Sequence, residues 1–239
     1  MASAYNYPLS SIKKIYTMKS IDELNIELKN KLSKKLNQTL HQLKEINSNY
    51  PEVMEVKRKL LDFNIVEFKE SVKESLRANL ITKWEEYQLK EQVDVVYDMI
   101  YFEFHENSFE HSQAQSYGIY DIKNFELRID NYDLGYEYQY GEWYAGEGIN
   151  LKPFETTKQL SYQNINNQQY FDLISWKDND SGNLQIWNYI FAICDFVFNE
   201  AFMNADEQDL FDQIKIRKGG FFGYNIHDDG LGSPFYLKK

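Results

Sequence analysis

Along the first third of the chain, apolar residues recur at helical spacing. Ile21, Leu24, Leu28, Leu32, Leu36, Leu40, Leu43 and Ile46 span 25 residues in seven steps, or 3.57 per step. Lys, Glu, Asn and Gln fill the positions between them, so the stretch reads as one long amphipathic helix. Ser20-Ile-Asp-Glu23 fits a capping box and places its start at Ile21. Asn47-Ser-Asn-Tyr-Pro51 interrupts the pattern, and Pro51 suits the first turn of a following helix. The second stripe runs Leu61, Ile65, Phe68, Val72, Leu76, Leu80, Trp84 and Tyr87, 26 residues in seven steps. Val53–Leu60 joins it, with a kink expected near Asn64. Two long helices with a short connection predict an antiparallel αα-hairpin within residues 1–91.

The period changes near Gln92. Val93–Phe104 is β-branched and aromatic and predicts a strand; Ser116–Ile122 and Phe125–Asn131 predict two more. Tyr132–Tyr140 alternates cleanly, with Tyr136, Tyr138 and Tyr140 on one face and Glu137 and Gln139 on the other. Together these predict an antiparallel β-meander. Asn164–Trp176 is weakly helical, and Asp178–Asn183 forms a polar turn.

That turn leads into the most apolar stretch, residues 183–202, where fourteen of twenty residues are apolar or aromatic. Gln185, Asn188, Asp195 and Asn199 fall on one line with Ala192 between, the spacing of a helix buried on all but one narrow face. Asp195 is therefore expected to be a solvated carboxylate. Asn204-Ala-Asp-Glu207 is read as capping a short helix through Gln213. The end of the chain reads as a hairpin from Ile214–Arg217 or Phe221–His227 to Pro234–Leu237.

The resulting expectation is an α+β fold. A long αα-hairpin packs on an antiparallel meander that wraps the central helix 183–202, with a C-terminal β-hairpin. Residues 1–91 form the helical part and residues 92–239 an acidic, aromatic-rich α+β domain.

Composition narrows the classes. Cys194 is the only cysteine, which excludes an internal disulfide and any Cys-rich zinc site. The leader MASAYNYPLSSIKK lacks an apolar core, and the longest apolar run of the central helix is short. A signal peptide and a membrane span are not expected, and the protein is read as cytoplasmic. Net charge is −11 and unevenly spread. Residues 1–91 hold 16 Lys/Arg against 13 Asp/Glu, and residues 92–239 hold 10 against 24, a balance of +3 against −14. That field repels nucleic acid and anionic membrane and attracts basic partners.

Motifs for chemistry are weak. His105 and His111 in FHENSFEH stand six apart, not the four that a helical zinc pair needs, so no metal is assigned. Asp178-Asn-Asp-Ser-Gly-Asn183 opens like a calcium loop, but its Gly and its twelfth residue, Tyr189, are misplaced. His227-Asp-Asp-Gly230 is a hairpin turn signal, and neither a phosphate-binding glycine loop nor a nucleophile elbow is present. No cofactor is expected.

The stretch with positive content is Tyr132–Asn150, with five Tyr, one Trp and four acids in nineteen residues. Tyr and Trp dominate binding hot spots, and surrounding acids pair with Lys or Arg of a partner. The candidate patch is Tyr136, Glu137, Tyr138, Tyr140, Glu142, Trp143, Tyr144 and Glu147, with Trp143 and Tyr144 read as loop residues. It predicts a non-enzymatic binding protein for a basic protein partner, of the immunity or inhibitor type. Two alternatives stand beside it. One is a carbohydrate-binding module or glycosidase stacking sugar on Trp143, with Glu137 and Glu142 as paired carboxylates. The other is an assembly protein dimerising through the leucine stripe of the helical hairpin.

Overall fold

Ser20 starts the first helix as its neighbours dictate. The Glu23 amide donates to Ser20 Oγ (3.2 Å), and the Ser20 amide donates to the Glu23 carboxylate (2.7 Å). Helix α1 runs Ile21–Glu45, and Lys57 Nζ donates to the carbonyls of Lys44 and Ile46 beyond its last turn. The computed structural model describes residues 19–81, 95–104, 113–122, 125–130, 132–133, 141–157, 182–226 and 231–239.

The second helical pattern is not one helix. Helix α2 covers Pro51–Leu61 and α3 covers Ile65–Ser75. Between them Asn64 restarts the helix, its Oδ1 accepting from the Glu67 amide at 3.1 Å. A π-helical segment, Leu76–Ile81, extends α3. Trp84 and Tyr87 of the predicted stripe lie outside the described residues.

The described strands are β1 (Tyr97–Phe104), β2 (Gln113–Tyr120), β3 (Tyr132–Asp133), β4 (Gly141–Asn150), β5 (Ile216–Ile226) and β6 (Leu231–Leu237). Their order in the sheet is β3-β6-β5-β1-β2-β4. The expected antiparallel meander is thus replaced by a mixed sheet. β1, β2 and β4 pair antiparallel, as do β5, β6 and β3, but β1 and β5 join the two groups in parallel. A parallel pair needs a long crossover. Here the connection from β1 to β5 includes the short helix α4 (Lys152–Glu155) and the central helix α5 (Asn183–Asp206).

The expected strand at Phe125–Asn131 is also corrected: Phe125–Asp130 form no strand. β2 lies near one end of the sheet and β3 at the other, four inter-strand spacings away, about 19 Å. The chain covers that distance as a strap laid across one face. Phe125, Leu127 and Ile129 pack on a cluster formed by Met99, Tyr101, Ile119, Phe221 and Leu237. Alternate residues face the sheet because the strap is extended, and their period of two mimics a paired strand. Asp98 fixes its start, accepting from the Ile122 amide (2.9 Å) and from Arg217 (2.7 Å). Arg217 in turn lies over the Phe125 ring at 4.5 Å.

The opposite face carries the helices. Phe198 and Phe202 of α5 pack edge-on against Tyr224, Phe222 and Phe235 of the sheet. Ile190, Ile193, Val197, Phe198 and Phe202 are fully buried, each contributing about 1.5–3 kcal/mol of transfer free energy. The two N-terminal helices do not form a closed hairpin; each packs chiefly on α5. Lys35 meets Asp195 and Lys29 meets Glu200, so α1 runs antiparallel to α5. Lys69 meets Glu200 and Arg77 meets Gln208, so α3 runs parallel to it. The helical layer is therefore α1, α5, α3, with α1 over β6 and α3 over β4.

The short helix expected from Asn204 is absorbed as well. α5 continues to Asp206, and only Leu210–Gln213 forms a separate 3₁₀ turn. Most of the Asp178–Asn183 turn and all of Asn164–Trp176 lie outside the described residues.

Gly182, at the N-terminus of α5, has φ +85°, and a Cβ there would stand 2.7 Å from Ile46 Cγ2. Gly182→Ala should destabilise the protein by about 1–3 kcal/mol, read as a lowered urea midpoint at unchanged slope. Adding Ile46→Ala should relieve the clash but leave the backbone cost, so the double variant should not recover wild-type stability.

Candidate partner-binding surface

The candidate patch is distributed over strand β4 and the residues before it. Tyr136, Glu137, Tyr138 and Tyr140 lie outside the described residues. Trp143 and Tyr144, read as loop residues, are instead in a strand: with Glu142 and Glu147 their backbone is strand β4, opposite Gly118, Tyr117, Ile119 and Gln115 of β2. The regular alternation ends at Gly141, but pairing to β2 carries the strand on without it. The register slips between Tyr117 and Ser116, leaving Ala145 as an extra residue on β4. Gly148 lies where a Cβ would meet the Ala114 carbonyl at 2.8 Å and the Phe102 ring at 3.0 Å. The far end of β4 is thus fixed hard against the core, while α3 and the π-helical segment pack along the strand.

Among the described residues β4 is the last strand on its side of the sheet. The other edge is closed by a specific device. Beyond β3, the outer side of Leu237 is met by the Asn25 amide, which donates to the Leu237 carbonyl (2.8 Å) and accepts from its N–H (3.0 Å). A buried side chain here does the work of a neighbouring strand.

Part of the acidity is neutralised inside the fold. Lys31 pairs with Asp130, Lys35 with Asp195, and both Lys29 and Lys69 with Glu200. Burial raises the Glu200 carboxyl, but Lys69 and then Lys29 outweigh it and hold it below the ordinary carboxylate value. Charge asymmetry between the halves therefore serves first to dock α1 and α3 on α5.

Asp195 corrects the expectation of a solvated stripe. It is 6% exposed, and Asn199 is 1% exposed, because the stripe turns toward α1 and the sheet. Lys35 Nζ donates to Asp195 at 2.8 Å. The Tyr224 hydroxyl donates to the Phe191 carbonyl at 3.0 Å; burial and then the nearby Asp195 charge push its pKa well up. Burial and Asp195 likewise raise the Cys194 thiol, which leaves it an inert core group. Asn199 donates to the Phe235 carbonyl at 2.7 Å. Phe235 is the extra residue where Tyr236 pairs with Phe222 and Pro234 with Gly223, so the sheet ladder leaves that carbonyl to a side chain.

A second buried carboxylate, Asp206, accepts from the Tyr236 hydroxyl (2.7 Å), Lys238 Nζ (2.6 Å) and the Lys239 amide (2.8 Å). Both clusters tie helix to sheet. No group of three or more metal-ligating side chains occurs among the described residues. His105 and His111 lie outside them. Sequence reasoning missed these clusters because each joins residues distant along the chain.

The leucine stripe offers no free face. Leu28 and Leu32 are buried in the core and Leu36 packs partly against it. No described helix is long and apolar enough to cross a membrane. No family model, curated protein or solved structure matches this chain.

Two measurements test the polar ties. Lys35→Met should cost about 1–3 kcal/mol, below the range for a fully buried pair because water reaches Lys35. Adding Asp195→Asn should recover part of that loss in a double-mutant cycle. Burial, then the hydrogen bond to Asp206, raises the Tyr236 hydroxyl above its ordinary pKa. Its contribution is complete below pH about 10, where unfolded tyrosine keeps its proton, and is lost as pH rises further. Tyr236→Phe should flatten the alkaline limb of unfolding free energy against pH.

Proposed function

We propose that this is a non-enzymatic binding protein whose acidic, aromatic-rich part, within residues 92–239, recognises a basic protein partner in the manner of an inhibitor. The observation that carries this reading is the charge of the chain around β4. Residues 129–151 contain no Lys or Arg and five acids: Asp130, Asp133, Glu137, Glu142 and Glu147. The lysines of α1 and α3 that neutralise Asp195 and Glu200 contact the central helix, and Lys31 of α1 pairs with Asp130. The helical part, residues 1–91, is the scaffold in this reading, since its apolar stripe is used within the chain. A cytoplasmic location goes with it, supported by a single cysteine held in the core.

Acids beside large aromatic residues act mainly on association rate and partner choice, and salt screens them. A pull-down with the tagged protein should retain basic proteins at low salt and release them at high salt. Glu142→Lys/Glu147→Lys should weaken that capture about tenfold or more at low salt. Capture indifferent to both salt and charge reversal would overturn the proposal.

A further inference from the structure

The two edges of the sheet are treated differently, and the difference points to how a partner docks. Exposed strand edges present unpaired N–H and C=O groups, and proteins close them with side chains, Pro, Lys or very short strands. At Leu237 the Asn25 amide satisfies both main-chain groups. At the opposite end, β4 is ten residues long, is paired only with β2 among the described residues, and reads GEWYAGEGIN. It holds no Pro, no Lys and no Arg. Its pairing with β2 shifts register twice, once leaving Ala145 as an extra residue near its middle and once between Glu147 and Asn150.

We infer that the outer edge of β4 accepts an extended, Lys/Arg-bearing segment of another protein as an added strand. This rests on the reading of the chain as a binder of basic proteins and specifies the mode. Main-chain hydrogen bonds along β4 supply affinity, and alternate side chains of the added strand supply selectivity. Glu142 and Glu147 are the second and seventh residues of the strand, so an incoming strand meets negative charge near one end and just past the middle. The same charges disfavour a second copy of this chain, because antiparallel β4–β4 pairing brings carboxylates of the two copies together.

The test is amide hydrogen exchange on the full chain, alone and with a short alternating Lys-Thr peptide, with a Glu-Thr peptide as control. In the free protein a subset of amides in 141–150 should exchange far faster than those of β1, which is paired on both sides. The Lys-Thr peptide should slow that subset by about tenfold or more at low salt, and the Glu-Thr peptide should not. Ala145→Pro, placed at the existing bulge, should abolish the protection while far-ultraviolet circular dichroism and protection of β1 stay unchanged. Three results overturn the inference. One is β4 fully protected in the free protein at all dilutions. Another is concentration-dependent protection without peptide, which assigns the edge to a second copy. The third is basic-peptide binding that leaves β4 exchange unchanged; it sinks the added strand while the binding of basic partners stands. Failure of every basic probe to bind at low salt would remove both.

Discussion

Everything in this fold is arranged to bury one helix. Residues 183–206 carry too much apolar surface for a single contact, and the chain answers with a sheet beneath and a helix on each flank. Phe198 and Phe202 reach down to Phe222, Tyr224 and Phe235, while α1 and α3 close the sides. Each flanking helix brings lysines as well as apolar residues. Lys29 and Lys69 reach the same Glu200 from opposite sides. The apolar surface supplies the driving force, and the ion pairs fix which turn of one helix meets which turn of the next.

Burial of that helix also explains the polar atoms inside the molecule. A helix over a mixed sheet passes bulges and strand ends where ladder hydrogen bonds are missing, and buried carbonyls need donors. Asn199 serves Phe235, Asn25 serves Leu237, and Asp206 gathers Tyr236, Lys238 and the Lys239 amide. These groups resemble functional clusters in composition but act as fasteners.

The periodic patterns made the helices legible. The capping box at Ser20, the break at Asn47–Pro51 and the kink near Asn64 all follow from neighbours within four residues, and such signals survive any tertiary context. Strand β1 and the C-terminal pair were legible for the same reason. The strap at Phe125–Ile129 was not, because alternation reports that every second residue is covered and not what covers it. β4 escaped notice since Gly-rich sequence lowers strand propensity, and its place was decided by pairing with β2. Of the candidate patch, Trp143 and Tyr144 were read as loop residues, and pairing with β2 makes their backbone strand.

The sequence by itself determined the α+β class, the extent of α1, the restart at Asn64, the apolar character of the central helix and the acidity of residues 92–239. Those properties are local, set by side-chain chemistry and spacing. Tertiary structure alone decided that α1 and α3 straddle the central helix, that β1 and β5 run parallel, and that Asp195 is buried opposite Lys35. A periodicity names the residues that share a face, but the group lying opposite that face comes from a distant part of the chain. Lys35 and Asp195 are 160 residues apart, and only the folded chain brings them to 2.8 Å.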